Sequence, residues 1–338
     1  MGKVYQAGLS IVFVDVFSEQ SFIIILVQRY IHQVLPYCNY RQILIPEFFY
    51  GYYLSFYGID FVQVVNDELF FIKGMASLEK LFIDEAQQIQ AVTESEQKFI
   101  RESEISSLPG PVQRYLHYTD FAGASQSDVT EVMWAESKIR FAPDKKWMPL
   151  TTRQYIFPSA AARLAWMHTR MAGVFPFEGR DRYHNGSGHM YGKLAKIFTV
   201  FNNHSQEVAL GGAVILLAES LLEPTIALQK YITWEPVDEN TAKATLRNKS
   251  LEVSGRFYFN DIGEYIRFES DDRPFETSKG KYETKPFSIV MGEYHEAGGY
   301  KIPGKVYAAW NLKEGDFTYW EGRISGLKRN ADQTHYSN

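Results

Sequence analysis

Between Gln206 and Gln229 the chain places Leu210, Val214, Leu217 and Leu221 at helical spacing, with further apolar residues on nearly every other side. A helix of this kind has no polar face to offer water, so the rest of the chain must surround it. Before and after it the pattern changes to alternation with a period of two, which belongs to strands. Val132 to Phe141, Trp147 to Phe157 and Arg163 to Met171 read as successive strands separated by turn residues. Leu251 to Phe259 and Glu264 to Glu269 read as a hairpin, with Val253, Phe257 and Phe259 on one face. Lys305 to Leu312 and Phe317 to Ile324 read as another, with Val306, Ala308, Trp310 and Leu312 turned inward. Together these features predict an α+β fold: a large, curved antiparallel sheet, an incomplete barrel, wrapped around an apolar helix in its concave face. Pro224 is expected to end or kink that helix. Glu219, its one central carboxylate, needs a buried partner or a raised pKa.

The strands occupy residues 119–329, followed by a flexible tail over 330–338. Residues 76–118 read as a helical lead-in. Ser77 caps a helix carrying Leu78, Leu81, Phe82, Ile89 and Val92, whose acidic, Gln-rich remaining faces are expected to be solvated. Pro111 fits the first turn of a second helix that buries Val112, Tyr115 and Leu116. Residues 1–75 differ from the remainder, with only 10 charged residues but 17 aromatics. Phe22 to Val27 is far shorter than the roughly 20 residues a spanning helix needs. The Tyr- and Phe-rich stretch from Phe48 to Val65 suits a membrane interface better than a lipid-facing span. This segment is read either as membrane-associated or as an aromatic-rich helical subdomain. No signal peptide is legible, because Asp15 and Glu19 interrupt the first apolar region. The first 20 residues have so little regularity that a different start site is also a reading of them.

Composition narrows the function classes. A formal net charge of -5 and thinly spread Lys and Arg argue against a nucleic-acid partner, which would need a basic stripe. Cys38 is the single cysteine, so neither a disulfide framework nor a Cys-based zinc site can be built within one chain.

The densest chemistry lies in Gly179–Met190 (GRDRYHNGSGHM), a strand-turn-strand block with three glycines. By alternation Asp181 and Tyr183 face one way while Arg180, Arg182 and His184 face the other. The bland reading is an ion pair or hydrogen-bond network, with Asp181 paired to Arg170 or Arg273. The sharper readings are a ligand site, or an acid/base cluster of Asp181, His184 and Glu219. His184 and His189, five residues apart, do not have a recognised metal-ligand spacing, so no metal is expected. Ser187 lies in Asn-Gly-Ser-Gly-His, which lacks the Gly-x-Ser-x-Gly spacing of a nucleophile elbow. Gly186 and Gly188 do not open a helix in a βαβ unit, so no phosphate cradle and no cofactor are expected.

Several motifs resemble those of an uncharacterised bacterial family. They are Leu-Pro-x-Pro-Val-x-Arg-Tyr-Leu at Leu108–Leu116, Trp-Met-Pro at Trp147–Pro149 and Gly-Arg-Asp-x-Tyr-x-x-Gly-x-Gly-x-Met at Gly179–Met190. Ala218-Glu219, Pro224 to Leu228 and Thr233 to Glu235 continue the likeness. The resemblance covers about residues 105–325. It implies no activity and, for many members, an N-terminal hydrophobic segment. The order of strands, apolar helix and further strands is also similar in architecture to bacterial lipoprotein carriers of the LolA and LolB type.

The function expected from these readings is binding of an apolar or amphipathic, lipid-like small molecule in a half-barrel cavity, with a membrane surface as a second partner. Asp181, Tyr183, Glu219 and Arg273 would supply its polar groups, with Arg180, His184, Trp147 and Trp234 as further candidates. A hydrolase or isomerase using Asp181, His184 and Glu219 is the alternative, and a scaffold without ligand the third reading.

Overall fold

Period-two alternation does build the sheet. A computed structural model describes residues 77–93, 98–171 and 173–330, which belong to the compact unit Ala76–Asn338. The expectations for residues 1–75 and for the tail after Asn330 lie outside the described residues. The first strands are β1 (Thr130–Ile139), β2 (Met148–Phe157), β3 (Ala162–Met171), β4 (Phe175–His184), β5 (Ser187–Leu194) and β6 (Phe198–Asn203). After the helical interruption come β7 (Ile232–Pro236), β8 (Thr241–Asn248), β9 (Leu251–Phe259) and β10 (Tyr265–Ser270). Then follow β11 (Pro274–Ser278), β12 (Lys281–Thr284), β13 (Phe287–Gly292), β14 (His295–Ala297), β15 (Tyr300–Ile302), β16 (Lys305–Leu312) and β17 (Gly315–Arg329). Thirteen of them form one antiparallel sheet in the order β6-β5-β4-β3-β2-β1-β17-β16-β13-β10-β9-β8-β7. Its two ends, β6 and β7, do not pair with each other, so the sheet is curved and open.

The apolar segment becomes three short pieces. Helix α4 (Gln206–Ala218) starts at Ser205, whose hydroxyl accepts from the Val208 amide, and it buries Val208, Ala213, Val214, Leu216 and Leu217. Each buried valine or leucine among them stabilises the fold by about 1.5–3 kcal/mol when fully buried. A 3-10 turn follows at Glu219–Leu221, and a short helix, α5, runs from Pro224 to Ala227. Pro224 therefore begins a new helix as well as ending the old one, because a first-turn proline lacks only an amide that has no intrahelical partner. The Glu223 carboxylate accepts from the Thr225 amide at that start. Helix α4 packs on β3, β4 and β5 at one end of the sheet and on β8 and β9 at the other. Its side chains join Phe257, Phe268, Val306, Ala308 and Ile324 in the main core.

A second, smaller core lies on the opposite face. There α1 (Leu78–Ala91) sets Leu78, Phe82, Ala86 and Ile89 against Tyr155, Phe157, Leu164 and Trp166 of β2 and β3. Two short helices, α2 (Glu102–Ile105) and α3 (Gly110–Tyr118), lead into the sheet. In α3, Tyr115 donates its hydroxyl to the Leu221 carbonyl at 2.8 Å and so ties the lead-in to the end of the apolar segment.

Candidate functional site

The β4–β5 hairpin is where both faces of the sheet are fastened. Asn185 and Gly186 both have positive φ (52° and 79°), the two-residue turn that matches strand twist. His184 and Ser187 close the register around that turn. On the concave side the strand glycines let the helix backbone approach. A Cβ on Gly188 would lie 2.5 Å from the Ala209 backbone, and one on Gly212 would lie 2.8 Å from the Tyr183 Cβ. Contacts that short exclude a side chain at either place.

The charges of this block divide between the two faces. Asp181 points to the concave face and meets Arg163 of β3, whose Nη1 donates to its carboxylate at 3.0 Å. The same guanidinium donates Nε to both oxygens of Glu219, at 3.0 and 3.1 Å. Glu219 caps the C-terminus of α4. Burial pushes its carboxyl above the usual range despite the attraction of Arg163, and Gln154 beside it also favours the charged form. Arg163 is held more firmly protonated because the two carboxylates outweigh its own burial. Asp181 is thus partnered by Arg163 and not by Arg170 or Arg273.

Arg180, Arg182 and His184 point to the other face, where α1 covers them. Arg180 is 2 % exposed and pairs with Glu85 through two hydrogen bonds, one of them Nε to Oε2 at 2.6 Å. Glu85, and Glu79 through Arg153 of β2 at 3.1 Å, are therefore committed to the sheet and are not solvated as expected. Glu178 accepts from the Leu78 amide at 2.8 Å and from the Ser77 hydroxyl, so a sheet carboxylate also completes the N-terminus of α1. Arg182 shares a hydrogen bond with His184 Nδ1 at 3.1 Å. Burial, followed by the charges of Arg182 and Lys249, holds His184 below its ordinary value. His189 Nδ1 meets Arg180 at 2.9 Å and its Nε2 meets Asn202 at 2.8 Å, which leaves neither nitrogen for a metal. The proposed trio of Asp181, His184 and Glu219 does not converge: the first and third meet through Arg163, and His184 lies across the sheet.

Towards the far ends of β3 to β6, away from the turn that holds α4, the concave face continues as an apolar trough of side chains that belong to neither core. Gly179 pairs with Gly192, and the Phe201 ring lies over Gly192 where a Cβ would be only 2.5 Å from it. Phe177 and Phe201 have ring centroids 6.2 Å apart. Met167 pairs with Gly179 and Met190 pairs with Asp181, so both sit on this face. Met167, Phe177, Met190 and Phe201 belong to neither hydrophobic core, and Met190 is 39 % exposed. Trp134 and Trp320 pack edge to face at 4.8 Å against the main core. A bulge on β17 leaves Tyr319 without a cross-strand partner between Thr318 and Trp320, which turns Tyr319 as well as Trp320 toward the core.

The remaining candidates are dispersed. Tyr183 is buried on the concave side and accepts from Asn248 Nδ2 at 3.3 Å, joining the β4–β5 turn to the end of β8. Trp234 packs on Phe257 and donates Nε1 to the Ala227 carbonyl at 3.0 Å, a core position and not a cavity wall. Trp147 lies on the outer face, with Lys138 and Arg140 over its ring at 5.1 and 4.7 Å, beside a groove of about 550 Å³ that also touches Glu321 and Arg323. A groove of about 470 Å³ elsewhere is walled by Lys243, Arg256, Arg267 and Glu269, and it does not reach Asp181 or Glu219. Arg273 lies among the rings of Phe287, Trp310 and Tyr319.

Strand alternation alone marks neither Arg163 nor the methionine and phenylalanine floor as a site. Arg163 shares strand parity with Ala165 and Met167, a signal that becomes useful only once Asp181 is known to face the helix.

The model of the family described as "Family of unknown function (DUF6544)" matches residues 98–322, a span that contains all three of the main motifs. No curated protein matches the chain in sequence. Among solved structures, the chain is similar to a domain from Vibrio parahaemolyticus described as an outer membrane lipoprotein-sorting protein. They are 10 % identical with a TM-score of 0.39, over 69 % of this chain and 95 % of that one. It is also similar to a LolA superfamily protein from Nitrosomonas europaea, at 9 % identity and a TM-score of 0.36, over 63 % of this chain and 90 % of that one.

Proposed function

The chain belongs to the family of unknown function DUF6544, and from that premise we propose that it binds an apolar or amphipathic small molecule in the open part of its concave face. The observation that carries this reading is the set of accessible apolar side chains there. Met167, Phe177, Met190 and Phe201 lie together on the concave side of four neighbouring strands and outside both cores. Convex surfaces commonly leave single apolar residues in water, but a contiguous concave patch with a polar border has the make-up of a ligand site. The polar border here is Asp181 with Arg163. Methionine suits such a floor because its flexible thioether adapts to a chain of variable shape. The Arg163 bridge offsets part of the negative charge of Asp181 and Glu219 beside the apolar floor, which lowers the cost of excluding water when a chain enters.

Isothermal titration of the full chain with dodecyl maltoside below its micellar concentration tests the reading. Saturable one-site binding with a negative heat-capacity change is expected, since apolar burial has that signature. Heat that never saturates, with no heat-capacity change, would overturn it.

A further inference from the structure

We infer that Arg273 is an anion site that reads a carboxylate or phosphate end group on the bound amphiphile. The inference rests on the binding reading above and gives it a substrate class. Arg273 precedes β11, at the root of the β11–β12 hairpin that leaves the sheet and reaches across to the end of β6, where Asn203 donates to the Tyr282 hydroxyl at 2.7 Å. Its guanidinium carbon lies 4.1 Å from the Phe287 ring centroid, 4.7 Å from that of Trp310 and 5.5 Å from that of Tyr319. Nη1 donates to the Tyr319 hydroxyl at 2.8 Å. Among the described residues no carboxylate lies within ion-pair distance of it, whereas Arg163, Arg180 and Arg329 each have one or two.

Three ring faces fix the plane of the guanidinium and leave most of its donors uncommitted. A planar fork that is oriented but unpaired matches the two oxygens of a carboxylate or phosphate. Tyr319 connects this cage to the concave face, since it packs on the main core. An amphiphile lying on the trough floor would bring its end group to this wall. The carboxylates at the Arg163 end repel an anion, so the charge is directed to Arg273.

The test compares dodecanoate, dodecyl phosphate, neutral dodecyl maltoside and inorganic phosphate, each titrated into the full chain and into Arg273→Met. The anionic amphiphiles are expected to bind about tenfold or more tighter than the neutral one, and Arg273→Met should remove that preference while leaving dodecyl maltoside affinity unchanged. A wild-type protein without charge preference, or a preference that survives Arg273→Met, would overturn the anion site and leave apolar binding standing. Inorganic phosphate binding as tightly as dodecyl phosphate, and lost in Arg273→Met, would keep the anion site but overturn the amphiphile as its source. If none of the four binds, the trough reading and this one fall together. Should Arg273→Met melt well below wild type, Tyr319→Phe removes only the hydroxyl that orients Nη1 and is expected to reduce the preference several-fold. An unchanged preference in a folded Tyr319→Phe would count against the site.

Discussion

Arg163 holds two carboxylates that sit close together at the edge of the core, and its own side chain is only 13 % exposed. Removing it leaves Asp181 and Glu219 facing each other without a cation, so Arg163→Met should lower stability by about 3–5 kcal/mol. Adding Asp181→Asn and Glu219→Gln should recover much of that loss, and urea denaturation of the single and triple variants measures both. A second buried pair, Glu223 with Arg329, is sealed more completely. Arg329 donates to Glu223 at 2.9 and 3.1 Å, and Thr130 donates to it at 2.6 Å. Burial pushes the Glu223 carboxyl up, but Arg329, Thr130 and Thr225 outweigh that and hold it below its ordinary 4.5. A carboxyl lowered by folding contributes stability above its unfolded value and loses it as pH falls through the folded one. Glu219, raised by burial, has the opposite sign: its contribution is complete below about 4.5 and is lost as pH rises through the raised value. Glu223→Gln should therefore destabilise the protein at neutral pH. It should also flatten the decline seen as pH is lowered from about 4.5, which thermal melts across the acid range would record.

At the level of elements, the β4–β5 hairpin acts as a clasp between two helices. Glycine at positions 188 and 212 lets α4 touch the hairpin, so Gly188→Ala should cost about 1–3 kcal/mol by overpacking and raise hydrogen exchange in α4. Gly211 is on the same helix, but a Cβ there meets nothing within 4 Å. Gly211→Ala should stabilise by up to about 1 kcal/mol, because alanine costs less backbone entropy in a helix. This contrast separates a packing glycine from one that is merely tolerated. The sequence shows that the block carries opposed charges on alternate faces, since period two requires it. It does not show that Arg180 meets Glu85 or that Asp181 meets Arg163, because those partners are 95 and 18 residues away and depend on register and helix docking. Alternation identifies a face, and only tertiary packing supplies the partner. For the same reason the helix α1 reads as solvated in sequence, yet Glu85 is drawn under the sheet.

For the molecule as a whole, the curved sheet and its inner helix follow from two periodicities that do not mix: a stretch apolar on all sides, and strands apolar on alternate positions. The hairpins β9–β10 and β16–β17 fall within a few residues of where alternation and turn residues put them. The open part of the concave face is less legible. There α4 meets the turn end of the β4–β5 hairpin through Gly188 and Tyr183, and helix position is not written in strand pattern. Met167, Phe177, Met190 and Phe201 look like ordinary core residues until both cores are seen to leave them out. If an apolar chain lies on this floor as proposed, photo-crosslinking with a dodecyl chain carrying a terminal diazirine will locate it. Mass spectrometry of the digested full chain should place the adducts on the β3–β6 peptides that hold Met167, Phe177, Met190 and Phe201, with competition by unlabelled dodecyl maltoside. Adducts concentrated instead on the outer-face peptides around Trp147 or Arg256, or spread without competition, would contradict it.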